Sequence, residues 1–207
     1  MAIESRQYDI RLAAAFKKTG EKWGDFSNMA GGYPVIINGI SIPSVEALYQ
    51  ACRFPLNSEI QEKIIKQNSP MTAKMVGKPH RQETREDWDI VRVLLMKWVL
   101  RVKLAQHWDR FSAKLLESGD MPIVELSNRD NFWGAIQLDE DIYCGVNALG
   151  RLLMELRQQI SENDKSKFMC VLPLNIDNFL LLNQPIGIVT STDTAEINVL
   201  QEDMFDK

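Results

Sequence analysis

The segment from Asp87 to His107 constrains the chain most. Trp88, Val91, Leu95, Trp98 (or Val99) and Val102 recur at steps of three and four residues, which places them on one stripe of an α-helix. Such a stripe is stable in water only when other elements cover it. The remaining sequence supplies them in short pieces. Asn38-Gly39 between Tyr33–Ile37 and Ile40–Ile42 is a hairpin turn signal, because both turn residues must adopt positive φ. Pro43 ends that strand, Ser44 is a helix N-cap, and the helix runs through Glu46 to Arg53 before Pro55. Residues 58–67 read as another helix, Phe111–Glu117 as a helix broken at Gly119, Ile123–Leu126 as a strand and Leu149–Ile160 as a helix. Residues 5–16 are helix or strand, and 128–141 reads as a polar loop. A chain of 207 residues can bury a self-supporting core of this kind. The pattern predicts one helix-dominated α+β domain over residues 1–160, with a small β-sheet or hairpin, and an extension over 161–207.

The extension differs in chemistry. Residues 1–160 hold 21 basic and 20 acidic side chains, whereas 161–207 hold 3 and 8, so the acidic excess lies wholly in the extension. Its apolar runs, Val171–Leu174 and Phe179–Leu182, are interrupted by Pro and Asn; Ile186–Val189 suits a strand, and 190–207 suits partial disorder. Within the body, residues 74–110 carry nine basic residues against five acidic ones, either a solvated helix face or a phosphate-facing rim. The overall charge of -4 argues against a protein that coats nucleic acid. No apolar run is long enough to span a membrane, and the first nine residues have no signal-peptide core. Cys52, Cys144 and Cys170 lack metal or disulfide spacing, and two histidines, His80 and His107, do not make a metal centre. The expectation is a cytoplasmic protein, monomeric, without metal or cofactor.

Three polar groups stand where chemistry is possible. Glu46 and Gln50 lie four residues apart on one helix face. If that face is buried, desolvation raises the Glu46 pKa and suits it to proton transfer; otherwise it sits in the first turn and favours the helix dipole. Asp130, in Asn128-Arg129-Asp130-Asn131-Phe132-Trp133-Gly134, is either a carboxylate beside a stacking wall or the cap of an Asx-turn. Lys18, next to Lys17 and before a glycine-containing loop, is either a surface cation or a desolvated nucleophile. Met71 and Met75 read as packing.

Taken in order, these blocks resemble the NADAR family of YbiA-like N-glycosidases over about residues 12–160. The matching blocks are Lys18 with Gly24-Asp25-Phe26-Ser27-Asn28, then Ser44 to Phe54, Arg85 to Asp89 with the long helix, Glu125 with Asp130 to Gly134, and Gly145 to Arg157. Ala47 stands where many members have His. The resemblance implies a YbiA-like fold and an enzyme that cleaves N-glycosidic bonds. The Glu46 to Gln50 version and the extension are most like members paired with DarT-type toxins, which attach ADP-ribose to guanine in DNA. It therefore implies removal of ADP-ribose from modified guanine, with ADP-ribose as ligand and a cognate toxin as partner. Other members act on a ribosylaminopyrimidine phosphate of the riboflavin pathway, and a non-catalytic ADP-ribose-binding or toxin-neutralising module is the remaining class. By this resemblance Glu46, Lys18 and Asp130 are catalytic, and Asn28, Arg53, Trp88, Trp133, Gly134 and Asn147 bind substrate. The pocket is expected where the 18–28 loop, the Glu46 helix and the Trp133 loop meet.

Overall fold

The computed structural model describes residues 4–193. In chain order it contains β1 (Arg6–Asp9), β2 (Ala14–Phe16), β3 (Val35–Ile37), β4 (Ile40–Ile42), α1 (Val45–Ala51), α2 (Ser58–Ile65) and α3 (Pro70–Val76). There follow α4 (Trp88–Gln106), α5 (Trp108–Glu117), β5 (Ile123–Ser127), β6 (Ala135–Gln137), β7 (Ile142–Gly145), α6 (Ala148–Glu162), β8 (Cys170–Val171), β9 (Leu180–Leu181), β10 (Gln184–Pro185) and β11 (Val189–Thr190). The fold is α+β. The described residues form two compact units, one of residues up to 30 with 109–164, the other of 31–108 with residues from 165 on.

The first unit is built on a five-stranded sheet in the order β1-β7-β6-β5-β2. β1 runs antiparallel to β7 (Tyr8 opposite Tyr143) and β7 antiparallel to β6, whereas β6 and β2 both run parallel to β5. β5 is the central parallel strand, and α6 packs on it. That packing needs a glycine. A Cβ on Gly150 would lie 2.1 Å from the Ile123 carbonyl oxygen, so only a bare backbone allows the helix this close. Residues 128–141, expected to be a loop, contain β6. Its three residues are too few to show alternation, and parallel pairing with β5 supplies the missing specification.

In the second unit Asn38 (φ 51) and Gly39 (φ 75) close the β3–β4 hairpin, with Ile37 opposite Ile40. Both sit in the left-handed region that the two-residue turn requires. The Ser44 hydroxyl accepts the Ala47 N–H at 3.2 Å and caps α1, as its position predicted. Every residue of α1 is buried. α4 carries the expected stripe: Leu95, Trp98, Val99 and Val102 are at most 2% exposed. Met71 and Met75 do not pack; both lie on the exposed side of α3, a helix their sequence did not announce.

The extension packs within this second unit as far as it is described. The Asn38 side chain, freed by the turn, donates to the Pro185 carbonyl at 2.9 Å and accepts from the Gly187 N–H at 3.0 Å. Gln61, fully buried in α2, donates to the carbonyls of Ala51 and Leu180 and accepts the Leu182 N–H at 2.7 Å. Trp98 stacks edge-on to Phe179 and donates to the Leu172 carbonyl. Ile186–Val189 contributes only Val189 to a strand, β11. The expectation of disorder over 190–207 lies, from residue 194 on, outside the described residues.

Candidate active site

In the second unit, Ser44 and the hairpin fix the start of α1 and thereby bury Glu46, which is 5% exposed. The Gln50 Nε2 donates to Glu46 Oε1 at 2.8 Å, one helical turn on. Desolvation pushes the Glu46 carboxyl above its ordinary range; the charge of Lys74 and the Gln50 hydrogen bond oppose this without cancelling it. The buried alternative for Glu46 is therefore the one the fold adopts. Gln50 also lines a cavity of about 240 Å³, shared with Arg53, Lys74, Met75, Gly77, Lys78 and Arg81. Glu46 thus stands one side chain behind a cavity bordered by four cations.

Arg53, on the cavity wall, meets Trp88; both were predicted to bind substrate. The guanidinium carbon lies 5.1 Å from the Trp88 ring centroid, and Nε donates to Thr84 Oγ1 at 2.9 Å. A planar guanidinium held on one face by an aromatic ring and on one edge by a hydroxyl is oriented before any ligand arrives. Trp88 also tilts against Tyr49, 5.3 Å between centroids. Burial lowers the Arg53 pKa; the Arg81 charge adds to this, and Tyr49 and Asp89 oppose it without cancelling it. Cys52 is no nucleophile: burial pushes its thiol up to about 12.

The other predicted residues fall in the first unit. Asp130 is exposed, and its Oδ1 accepts the N–H groups of Phe132 at 3.0 Å and Trp133 at 2.8 Å. The Asx-turn reading is realised, and its effect is to present Trp133, half-buried, with Phe132 edge-on at 5.1 Å. Lys17 Nζ donates to Asn128 Oδ1 at 2.7 Å and ties the 17–28 loop to this turn. Lys18 is exposed, which realises the surface-cation alternative. Asn28 is buried. Gly134 and Asn147 need correcting as substrate contacts. A Cβ on Gly134 would lie 2.4 Å from the Glu125 carbonyl oxygen, which explains the glycine by backbone approach. Asn147 is fully buried; its Nδ2 donates to the Ile123 carbonyl at 2.8 Å and its Oδ1 accepts the Glu125 N–H at 3.1 Å, so the amide clamps β5. Lys74, Lys78 and Arg81 were not singled out from the sequence as a site, although the basic excess of 74–110 contains them. Among the described residues no group of His, Cys, Asp and Glu is arranged to hold a metal ion, and no helix is long and apolar enough to cross a membrane.

The NADAR domain matches residues 15–161. The chain belongs to the NADAR family. Escherichia coli N-glycosidase YbiA is 36% identical over 146 residues, covering 70% of this chain and 87% of that protein. A Nostoc punctiforme N-glycosidase is 31% identical over 147 residues, 70% of this chain and 90% of its own length. A Vibrio vulnificus riboflavin biosynthesis protein is 33% identical over 163 residues, 75% of this chain but 42% of that longer protein. The NMR structure of E. coli YbiA superposes with a TM-score of 0.61 at 34% identity, covering 72% of this chain and 84% of the other. The NADAR match ends within α6, so β8 to β11 lie beyond it.

Proposed function

We propose that this NADAR protein is a hydrolase of ribosyl N-glycosidic bonds and that it removes ADP-ribose from modified guanine in DNA, in the cytoplasm, as the antitoxin to a DNA ADP-ribosyltransferase. The observation that carries the hydrolase reading is the buried Glu46 carboxyl, raised by desolvation and oriented by Gln50 behind a cationic cavity. The N-glycosidases among its relatives support the reaction class. Support for the DNA-linked substrate is the likeness of the Glu46–Gln50 helix and of the extension to toxin-paired members, together with the basic character of 74–110.

In this reaction the C1–N bond of the ribose breaks, the base departs with a proton on nitrogen, and water supplies hydroxide to C1 and the balancing proton. A carboxyl group raised by burial is suited to deliver the first proton, and as carboxylate it then stabilises positive charge at C1 and accepts a proton from the water. Arg53, fixed by Trp88 and Thr84, binds the anionic part of the substrate.

The test uses Glu46→Gln on an oligonucleotide carrying ADP-ribosylated guanine. The variant should release ADP-ribose at least ~100-fold more slowly, the scale of a lost general acid–base. Undiminished release by a folded variant removes Glu46 from the mechanism. A second reading, cleavage of a free ribosylaminopyrimidine phosphate, is favoured by the riboflavin-pathway relative. Measuring kcat/KM for both substrates decides between them, and tight toxin binding with no turnover of either would make the protein a neutralising module.

A further inference from the structure

The cavity beside Gln50 has more positive charge than Arg53 alone supplies. Lys74 lies on the exposed side of α3, and Lys78 and Arg81 follow in the turn after it, beyond the buried Gly77. Gly77 abuts the Phe54 ring, where a Cβ would come within 3.0 Å, and this contact seats the turn against the end of α1. The four cations border one space with Gln50 on its wall, and among the described residues no carboxylate lines it. Elsewhere in 74–110 the pattern is different. Arg85 is paired with Asp87, and Arg92 approaches Asp89. The basic residues that border the cavity differ from these neighbours in facing a common opening.

We infer that Lys74, Lys78 and Arg81, with Arg53, form the binding site for the phosphate attached to the 5′ carbon of the ribose whose C1–N bond is cleaved. The inference rests on the ribosyl N-glycosidase reading for its assignment to the substrate. Gln50, which holds the Glu46 carboxyl, borders the same space as the cations, so one ribose bound there can bring C1 to the Gln50 wall while its phosphate meets the cations. Arg53 is the pre-oriented member, and the exposed lysines and Arg81 adapt to the anion. Their removal leaves buried packing unchanged, because all three are exposed. The site demands phosphate, which both candidate substrates carry, and it predicts that unphosphorylated ribosyl N-glycosides are poor substrates.

The experiment compares the full-length wild type with the combined variant Lys74→Ala, Lys78→Ala and Arg81→Ala by calorimetric titration. The ligands are ribose, ribose 5-phosphate, ADP-ribose and an unmodified single-stranded oligonucleotide. The wild type should bind ribose 5-phosphate and ADP-ribose more tightly than ribose. The variant should lose about tenfold to a hundredfold of affinity for both phosphates, with ribose unchanged. Equal affinity in the two proteins overturns the site. A loss confined to the oligonucleotide overturns the ribose assignment and transfers the cations to the DNA backbone. Cleavage assays keep the two ideas apart. If the variant loses phosphate binding and the wild type cleaves no N-glycoside, the site stands and the hydrolase reading falls. If the wild type cleaves while phosphate binding is insensitive to the variant, the hydrolase reading stands and the site falls. For the cleaved substrate the variant should raise KM at least ~tenfold, and an unchanged KM overturns the site.

Discussion

Asn147 is the residue at which a binding role and a structural role make opposite predictions. It occupies the left-handed region (φ 51, ψ 47) at the start of α6, is wholly buried, and bonds both amide atoms to the backbone of β5. In Asn147→Ala the Ile123 carbonyl and the Glu125 N–H lose their partners; each bond with a buried, unreplaced partner is worth about 1–3 kcal/mol. An alanine Cβ in the left-handed region adds ~1 kcal/mol. The total, ~3–7 kcal/mol, is a large share of the ~5–15 kcal/mol that stabilises a typical domain. Asn147→Gly isolates the first component, because glycine adopts this conformation without strain, and should recover about 1 kcal/mol relative to Asn147→Ala. Urea unfolding followed by tryptophan fluorescence, with far-ultraviolet circular dichroism as the second probe, reads both values. If both variants unfold within ~0.5 kcal/mol of the wild type while KM rises, the clamp reasoning is wrong and the amide meets substrate.

Three further outcomes follow from the packing and electrostatics. Burial raises the Glu46 pKa above 4.5, so the folded chain favours the protonated acid; that stabilisation is complete below the ordinary carboxyl value and is lost as pH rises through the folded one. Glu46→Gln should therefore gain in Tm relative to the wild type as pH increases from 4.5, and parallel Tm-versus-pH curves would contradict the burial argument. Gln61→Ala removes three hydrogen bonds, two of them to the Leu180–Leu182 segment and one to Ala51, and should cost about 2–4 kcal/mol. Hydrogen exchange should accelerate at Leu182 and its neighbours first; unaltered protection there would show that Trp98 and Asn38 suffice. Gly134→Ala drives a Cβ into the Glu125 carbonyl and should destabilise the first unit by ~1–3 kcal/mol, visible as altered Trp133 emission; a neutral variant would mean that β5 and β6 can separate freely.

What was legible in the sequence follows the range over which each element is specified. The β3–β4 turn, the Ser44 cap and the α4 stripe are local: two positive-φ residues, one hydroxyl and one period define them, and they appear where expected. The five-stranded sheet was not legible beyond β5. β6 has three residues and β1 has four, and their pairing depends on partners more than a hundred residues away in the case of β1 and β7. The extension looked irregular because its order is borrowed. Gln61, Asn38 and Trp98 supply the hydrogen bonds and ring contacts that its own Pro and Asn residues deny to regular strands.

The same distinction applies to the site. Residue type and helical spacing suffice to pair Glu46 with Gln50, but whether their face is buried depends on what covers α1, which no local pattern states. The sequence left Lys18 either a surface cation or a desolvated nucleophile, and in the fold its side chain is exposed. The motif residues Gly134 and Asn147 turn out to bring the chain against β5 and to start α6. Conversely, the basic run of 74–110 had looked like one feature and is several. Arg85 and Arg92 approach neighbouring acids, Lys103 is buried with its ammonium 4.2 Å from the Tyr33 ring centroid, and Lys74, Lys78 and Arg81 converge on a cavity. Charge counted along a chain measures how many cations are available; only the fold determines which of them share a space, and for phosphate recognition it is the shared space that matters.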